Sequence, residues 1–531
     1  MNSKTSQRKR LDILEKIILT DISRPIISKL KPYQVMHAQT LACSLKNNRI
    51  GFDGSDTGTG KTFTAIAVAS IIGARPFIIC PKPIVIAWFD VCSIFGVSPL
   101  GIANYEAIKG GKYFPTKQAF LEDKRVKCPY ASPDQSPVIN KKTGDIITTK
   151  TGRVRMISEN VKWTMPQDTL VILDESHKGK NGMIGKRSLN SKIMVALKSH
   201  IDSGSIYCLL LSATLSEKID HLAVPLYLMK MYSPFSKFAF TRFLSNIFQG
   251  GSMKSMGEDP KEILSKLNKM IFPEFGGRMT IEDIKDLTGN RIFGNNDVKA
   301  KARSIDESDA KEIETIYDEM NEALEALKKK ECSAGCYLVK ILRARQKIEL
   351  LKIPVFTELI DKYLSKGNSV VIFVNFTETI DLIAEWMNGR VGKEKFGYIW
   401  GKQTSSERDS VIAQFQKDEL RVVLCNIQAG GACISLHDLV GNHPRVSLIS
   451  PTWTAIELKQ ALGRIYRSQV KSAVKQRIIY VNAGVEKYMC GVMNKKLKNI
   501  SFFNDGDLGM KSHFDFGKEE PLELCPKKLD P

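Results

Sequence analysis

SDTGTGKT, Ser55 to Thr62, runs directly into the helix-forming stretch FTAIAVASII, residues 63–72. Gly58 and Gly60 let the backbone curl so that successive N–H groups face one point, and a helix N-terminus behind them adds its positive dipole end. That arrangement is a phosphate cradle built from Ser55, Asp56, Thr57, Gly58, Thr59 and Gly60. The Lys61 ammonium is placed to neutralise β and γ phosphates, and the Thr62 hydroxyl to ligate Mg2+. Ser55 stands where the usual pattern has its first glycine. A Gly-Lys-Thr tripeptide is weak by itself, since a flexible turn has the same composition.

What lies on either side strengthens the reading. Residues 30–225 alternate short β-rich apolar runs with helical stretches, as a parallel sheet with crossover helices does. PFIIC (76–80), TLVIL (169–173) and YCLLL (207–211) are the clearest strands. LDESH closes the second of these, so Asp174 and Glu175 fall at a strand's carboxyl edge, where α/β sheets meet their ligands. Asp174 is then the candidate Mg2+ partner, and Glu175 the group that orients or deprotonates an attacking water. A polar, Lys- and Thr-rich interruption at about 109–166 is expected to be a surface insertion or hairpin outside the core.

From 226 to 366 the pattern is mainly helical. Ile313, Ile316, Tyr317, Met320, Leu324 and Leu327 fall at steps of three and four, one apolar stripe that core packing explains. ILRARQKIELLK (341–352) carries Arg343, Arg345 and Lys347, a basic face open to a polyanion or simply solvated. The βα alternation resumes with SVVIFVNF (369–376), RVVLCN (421–426), RVSLIS (445–450) and RIIYVN (477–482), a second parallel α/β unit.

The chain has 531 residues, enough for three or four units at about 150 residues each. Hydrophobic residues at 43% and charged residues at 25% are ordinary for a folded soluble protein and exclude wholesale disorder. No apolar run reaches the roughly 18 residues of a spanning helix. Asp12, Glu15 and Lys16 interrupt the early apolar stretch, against a secretory leader and for a protein that stays inside the cell. The 11 cysteines sit mostly in apolar runs, as buried thiols in a reducing compartment do; Cys332 and Cys336 are closely paired without a second pair to complete a zinc site. The net charge of +21 suits a polyanion, with nucleic acid first, or else a basic surface that only keeps the protein soluble.

The chain resembles superfamily 2 helicases, and more narrowly the Swi/Snf family of double-stranded-DNA translocases, over nearly all of residues 29–490. LKPYQ (30–34) resembles the adenine-reading entry, which implies Gln34 as the base contact. CPKPIVIAW (80–88) and ANYE (103–106) are similar to two DNA-contacting motifs, implying Pro81, Lys82, Trp88, Asn104 and Tyr105 as nucleic-acid residues. DESHKGKN (174–181) is close to the family's extended acidic motif. SATLS (212–216) takes its coupling position, with His177, Ser212, Ala213 and Thr214 as the coupling set and Ala213 where the family more often has glycine.

In the second half, VVIFVNFTETIDLI (370–383), GKQTSSERDSVIAQF (401–415) and NIQAGGACISL (426–436) resemble the opening motifs and the glycine-bearing motif that touches DNA and ATP together. They imply Asn375, Gly401 and Gly430 at nucleic acid and Gly431 at the nucleotide. SPTWTAIELKQALGRIYRSQ (450–469) holds Gln460, Gly463, Arg464 and Arg467 in the family's Gln-x-x-Gly-Arg-x-x-Arg order, with Trp453 on its nucleic-acid flank. Steps of three, one and three put these on one face if the segment is helical, so both arginines could reach a γ phosphate and stabilise charge developing in transfer.

The resemblance implies an α/β fold of two tandem RecA-like P-loop domains with a helical insertion: a flank at 1–28, a first lobe at 29–225, the helical region at 226–366, a second lobe at 367–500 and a tail at 501–531. It implies an ATP hydrolase using ATP and Mg2+ to move along nucleic acid, double-stranded DNA favoured and RNA open; targeting is expected from a protein partner or from the insertions. An RNA helicase or a remodeller of transcription complexes is the alternative. A silent nucleotide-gated clamp is another, and the retained Lys61, Asp174, Glu175 and Arg467 speak against it.

Overall fold

The computed structural model describes residues 24–505 except 140–142, 149–151, 153, 155, 181–187, 216, 249–259, 283, 286–292, 304–306, 329–333, 390–395, 431–433 and 482–483. Contacts divide the chain into two units, residues 1–293 with 499–509, and residues 294–498 with 510–531.

The apolar runs become strands because parallel sheets covered on both faces bury every residue. In the first unit the order is Gly276–Gly277, Ile50–Asp53, Ile206–Leu211, Thr169–Asp174, Arg75–Cys80 and Gly101–Asn104, all parallel. Alternate side chains feed two cores. Phe52, Phe77, Val171, Leu173 and Leu210 pack on one face with Ile193, Met194 and Leu226. Ile78, Ile172, Leu209 and Leu211 pack on the other with Leu41, Ala65, Trp88 and Phe89. The helix Lys61–Ile72 is stopped by Gly73 and the helix Val85–Phe95 by Gly96, each at φ 68°, a left-handed cap that glycine adopts at least cost.

The second unit carries another parallel sheet, ordered Asn296–Arg303, Val474–Val481, Arg445–Ile449, Ser369–Val374, Val422–Asn426 and Phe396–Ile399. Val370, Ile372, Val422, Leu424 and Val446 bury one face against Phe356, Ile360, Ile380 and Ile383. Thr404 and Glu407 close a capping box at the start of the helix Ser405–Gln416. The fold is therefore the expected α/β architecture of two parallel-sheet units.

Two expectations need restating. The interruption at 109–166 does form an antiparallel hairpin, Ala131–Pro137 with Met156–Trp163, but it is not outside the core. Phe114, Cys128, Ala131 and Trp163 are buried beneath its polar surface. The stretch 226–366 is shared: helices Lys237–Phe248 and Lys261–Ile271 lie in the first unit, whereas the strand Asn296–Arg303 and helices from Glu307 onward lie in the second. Of the apolar stripe, Ile313 and Ile316 pack on Ala344 and Ile348; the side chains of Met320, Leu324 and Leu327 lie outside the described residues. Cys332 and the Cys336 side chain also lie outside them. No helix among the described residues is long and apolar enough to cross a membrane.

Candidate functional site

Gly58 and Gly60 hold φ of 85° and 88°, which turns the loop back on itself at the head of the helix Lys61–Ile72. At φ 88° Gly60 holds a backbone conformation other residues adopt under strain, and a Cβ there would lie 2.2 Å from Gln34 Nε2 and displace that amide. Gln34 is buried; its amide donates to the carbonyl of Thr59 at 3.0 Å, and its carbonyl accepts from Lys31 N at 2.9 Å. The Lys61 ammonium donates to the carbonyls of Ser55 and Asp56, each at 2.9 Å. Thr57 and Thr62 are half-buried at the mouth, and the Thr59 hydroxyl ties back to Asp56 O at 2.9 Å. The helix has no side-chain cap, so its first-turn N–H groups remain for an anion.

Asp174 ends its strand beside this loop. Burial and the neighbouring Glu175 raise its pKa, against the pull of Lys61 and a hydrogen bond from Trp88. Two carboxyls crowded in a dry site near a cationic loop are the donor set a divalent cation would relieve. With the glycine cradle and Lys61, the residues fit a magnesium nucleotide. Glu175 takes a left-handed backbone conformation, φ 53°, and its carboxylate meets His177 Nδ1 at 3.1 Å. The same ring nitrogen lies 3.2 Å from Ser212 Oγ, which accepts from Thr214 N at 3.2 Å. This chain follows from the sheet: Asp174 pairs with Leu211, so whatever follows one strand abuts whatever follows the other. Ala213 is buried in the same segment.

The residues expected at nucleic acid fall into different places. Lys82 is exposed, beside buried Pro81, and pairs with Asp123 at 3.5 Å. Trp88 is a correction: it is 0% exposed, and its indole N–H donates to Asp174 Oδ2 at 3.1 Å, so it supports the acidic site and touches no groove. Tyr105 is likewise buried, its hydroxyl donating to the carbonyl of Asp174 at 2.8 Å, beside buried Asn104.

In the second unit Asn375 is half-buried, donating through Nδ2 to Glu349 at 2.6 Å and to Pro451 O at 2.9 Å. Arg345 reaches its Oδ1 at 3.3 Å, so the basic face of 341–352 is partly engaged; Lys347 pairs with Glu312 at 3.7 Å. Gly401 is exposed in a turn, and Trp453 accepts at its carbonyl from Lys496 at 2.9 Å. Gly430 ends the short helix Ile427–Gly430; Gly431 lies outside the described residues.

The one-face reading of Gln460 to Arg467 is also corrected. The helix is Ala455–Leu462, and Gly463 closes it with bonds from its N–H to both Lys459 and Gln460 carbonyls at 3.1 Å. Glycine's low propensity ends the helix there. Gln460 sits in its last turn, whereas both arginines follow it. Arg464 is buried and donates to Ile434 O at 3.2 Å; Arg467, half-buried, donates to Gly463 O at 3.0 Å and Ser435 Oγ at 2.7 Å.

Residues 352–469 match the helicase conserved C-terminal domain. Over 495 residues, 92% of this chain and 86% of the relative, the chain is 35% identical to a protein of Acanthamoeba polyphaga mimivirus provisionally named an ATP-dependent RNA helicase. A shorter match, 29% identical over 158 residues, covers 29% of this chain and 12% of the ATP-dependent helicase fft2 of Schizosaccharomyces pombe. The chain belongs to the ATP-dependent helicases of superfamily 2 and is similar to Swi/Snf-type members. A solved SWI2/SNF2 ATPase core of Sulfolobus solfataricus, in complex with dsDNA, aligns over 90% of the helicase and 93% of its own chain at 16% identity and a TM-score of 0.31. The helicase is an ATP hydrolase. Its site also contains His37, Asp53 and Arg278, which all border the phosphate loop. Only Arg278 gave a signal, as the single arginine in FGGRMTIEDI (275–284).

Proposed function

We propose that the helicase uses ATP hydrolysis in its first unit to translocate along double-stranded DNA. The observation that carries this is the placement of Lys61 near buried Asp174, with half-buried Glu175 in polar contact through His177 with Ser212. The acidic pair and the coupling segment thus share one chain of polar contacts. Lys61 would release the loop carbonyls for the β and γ phosphates, and Thr62 with Asp174 would hold the cation. Magnesium, when bound, would neutralise phosphate charge. Glu175 would orient a water for attack on the γ phosphorus and take up its proton as the bond to the β-phosphate oxygen breaks, leaving ADP and phosphate. Gln34 would sit at the base, and Arg467, on the strength of the resemblance, at the transferring phosphoryl group.

Duplex DNA is favoured by the extended acidic motif and the Trp453 flank; the +21 charge supports a phosphate-tracking surface for either nucleic acid. A second reading, RNA, is favoured by the name of the mimivirus relative. ATPase stimulation by duplex DNA, single-stranded DNA and RNA, measured side by side, separates them. The first reading expects the largest rise with duplex DNA; stimulation by RNA alone would replace it with the second.

A further inference from the structure

The segment Phe275–Ile281 lies flush along the strand Ile50–Asp53 and continues past it onto the phosphate loop. Phe52 N donates to Phe275 O at 2.7 Å, Gly54 N to Gly277 O at 3.0 Å and Asp56 N to Met279 O at 3.0 Å. Return bonds run from Met279 N to Ser55 Oγ at 2.9 Å and from Ile281 N to Asp56 Oδ2 at 3.2 Å. Such close approach needs glycine: a Cβ on Gly276 would lie 1.8 Å from Phe52 O. It also gives Ser55 a purpose where the usual pattern has glycine. Its hydroxyl sits 3.1 Å from His37 Nε2, itself 3.0 Å from the buried Asp53 carboxylate.

Arg278 closes the arrangement. It donates to Gly54 O at 2.6 Å, pairs with Asp56 Oδ1 at 3.1 Å, and meets Asp505 Oδ1 at 2.8 Å. Burial pulls its pKa down, but Asp56 and Asp505 outweigh that and raise it, so the guanidinium stays charged. Asp505 ends the helix Gly484–Asp505, whose last turns belong to the first unit. There Phe503 packs 6.3 Å from the Phe52 ring, and Asn504 Nδ2 donates to Ala213 O at 2.9 Å, in the coupling segment.

We propose that Arg278, anchored by Asp505, is a positioning residue that sets the phosphate loop for ATP, so that nucleotide affinity depends on the far end of the chain. Its grip on Gly54 O and the Asp56 carboxylate brackets the two carbonyls that Lys61 holds, at Ser55 and Asp56. A shift of Arg278 therefore moves the partners of the cation that meets the phosphates, although Arg278 touches no nucleotide. This rests on the reading of Lys61 as the phosphate-binding lysine.

The test uses the full chain, a fluorescent ATP analogue for binding, and steady-state hydrolysis. Asp505→Asn is expected to raise the dissociation constant and the KM for ATP by about threefold to tenfold, with kcat changed by less than about twofold. Arg278→Gln should have a larger effect in the same direction, and Arg278→Lys should recover part of it. Phe503→Leu, which loosens the same helix end without removing charge, separates positioning from loss of stability. An affinity in Asp505→Asn equal to wild type, or a loss no greater than in a Phe503→Leu variant of matched melting temperature, overturns the proposal. Lys61→Ala is the control: if it binds the analogue like wild type, the nucleotide assignment fails. If Lys61→Ala loses binding while Asp505→Asn keeps it, the role of Arg278 alone fails.

Discussion

Replacing Trp88 by Phe tests whether this side chain supports the acidic site or grips nucleic acid. The indole is fully buried, and its one polar atom donates to Asp174 Oδ2 at 3.1 Å. Losing a buried hydrogen bond to an ionised group costs about 1.5–3 kcal/mol. The smaller ring adds about 1–2 kcal/mol of lost burial and void. A total of about 2.5–5 kcal/mol corresponds to roughly 5–20 °C in the melting transition of the first unit. The hydrogen bond also holds the raised Asp174 pKa down, so its loss should raise that pKa further and leave less carboxylate near neutral pH. ATPase activity should therefore need more Mg2+ for half-saturation. Affinity for duplex DNA without nucleotide should stay within about twofold of wild type, since a buried ring offers DNA nothing. A variant with unchanged melting and Mg2+ dependence but weakened DNA binding would refute this and return Trp88 to the groove.

Glu175→Gln keeps the shape of the site but removes the proton acceptor. Nucleotide binding should persist while turnover falls by about 10²-fold or more, read by analogue titration beside phosphate release. Lys352 is fully buried and paired with Glu486, also donating to Ser450 Oγ at 3.1 Å. Lys352→Met should cost about 3–5 kcal/mol in denaturant unfolding by stranding Glu486, and Lys352→Met with Glu486→Leu should recover most of it. His437 is buried near Arg467 and Arg445; burial first, then those cations, lowers its pKa to about 4. The unfolded chain, with an ordinary imidazole near 6.5, binds the extra proton between those values. Stability of the second unit should therefore fall as pH drops from about 6.5 to about 4, by at most about 3 kcal/mol, and His437→Asn should flatten that slope.

The strands that carry the two sheets could be read because burial on both faces demands unbroken apolar runs such as TLVIL and SVVIF. IGFD was not readable that way, since Gly51 and Asp53 interrupt it, yet it leads straight into the phosphate loop. The hairpin hid its core for a related reason: Ala131, Val161 and Trp163 are buried one at a time among polar neighbours, so mean composition concealed them. Spacing was informative about proximity in sequence but not about direction. Gln460 to Arg467 step like a helix face, but Gly463 ends the helix between them, and Trp88 lies on a motif that points it inward.

Arg278 shows the deepest of these limits. Its bonds go to a backbone carbonyl and to carboxylates far away along the chain, at Asp56 and Asp505, and no local period encodes such a pairing. What the local sequence does carry is the pair of glycines before it, since side chains there would collide with Phe52 and His37. A double glycine followed by a lone arginine thus marks a place where backbone must lie on backbone and deliver a charge. If that reasoning is right, Gly276→Ala should part the segment from the strand and weaken nucleotide binding in the same direction as Arg278→Gln, because both would release Gly54 and Asp56 from one hold.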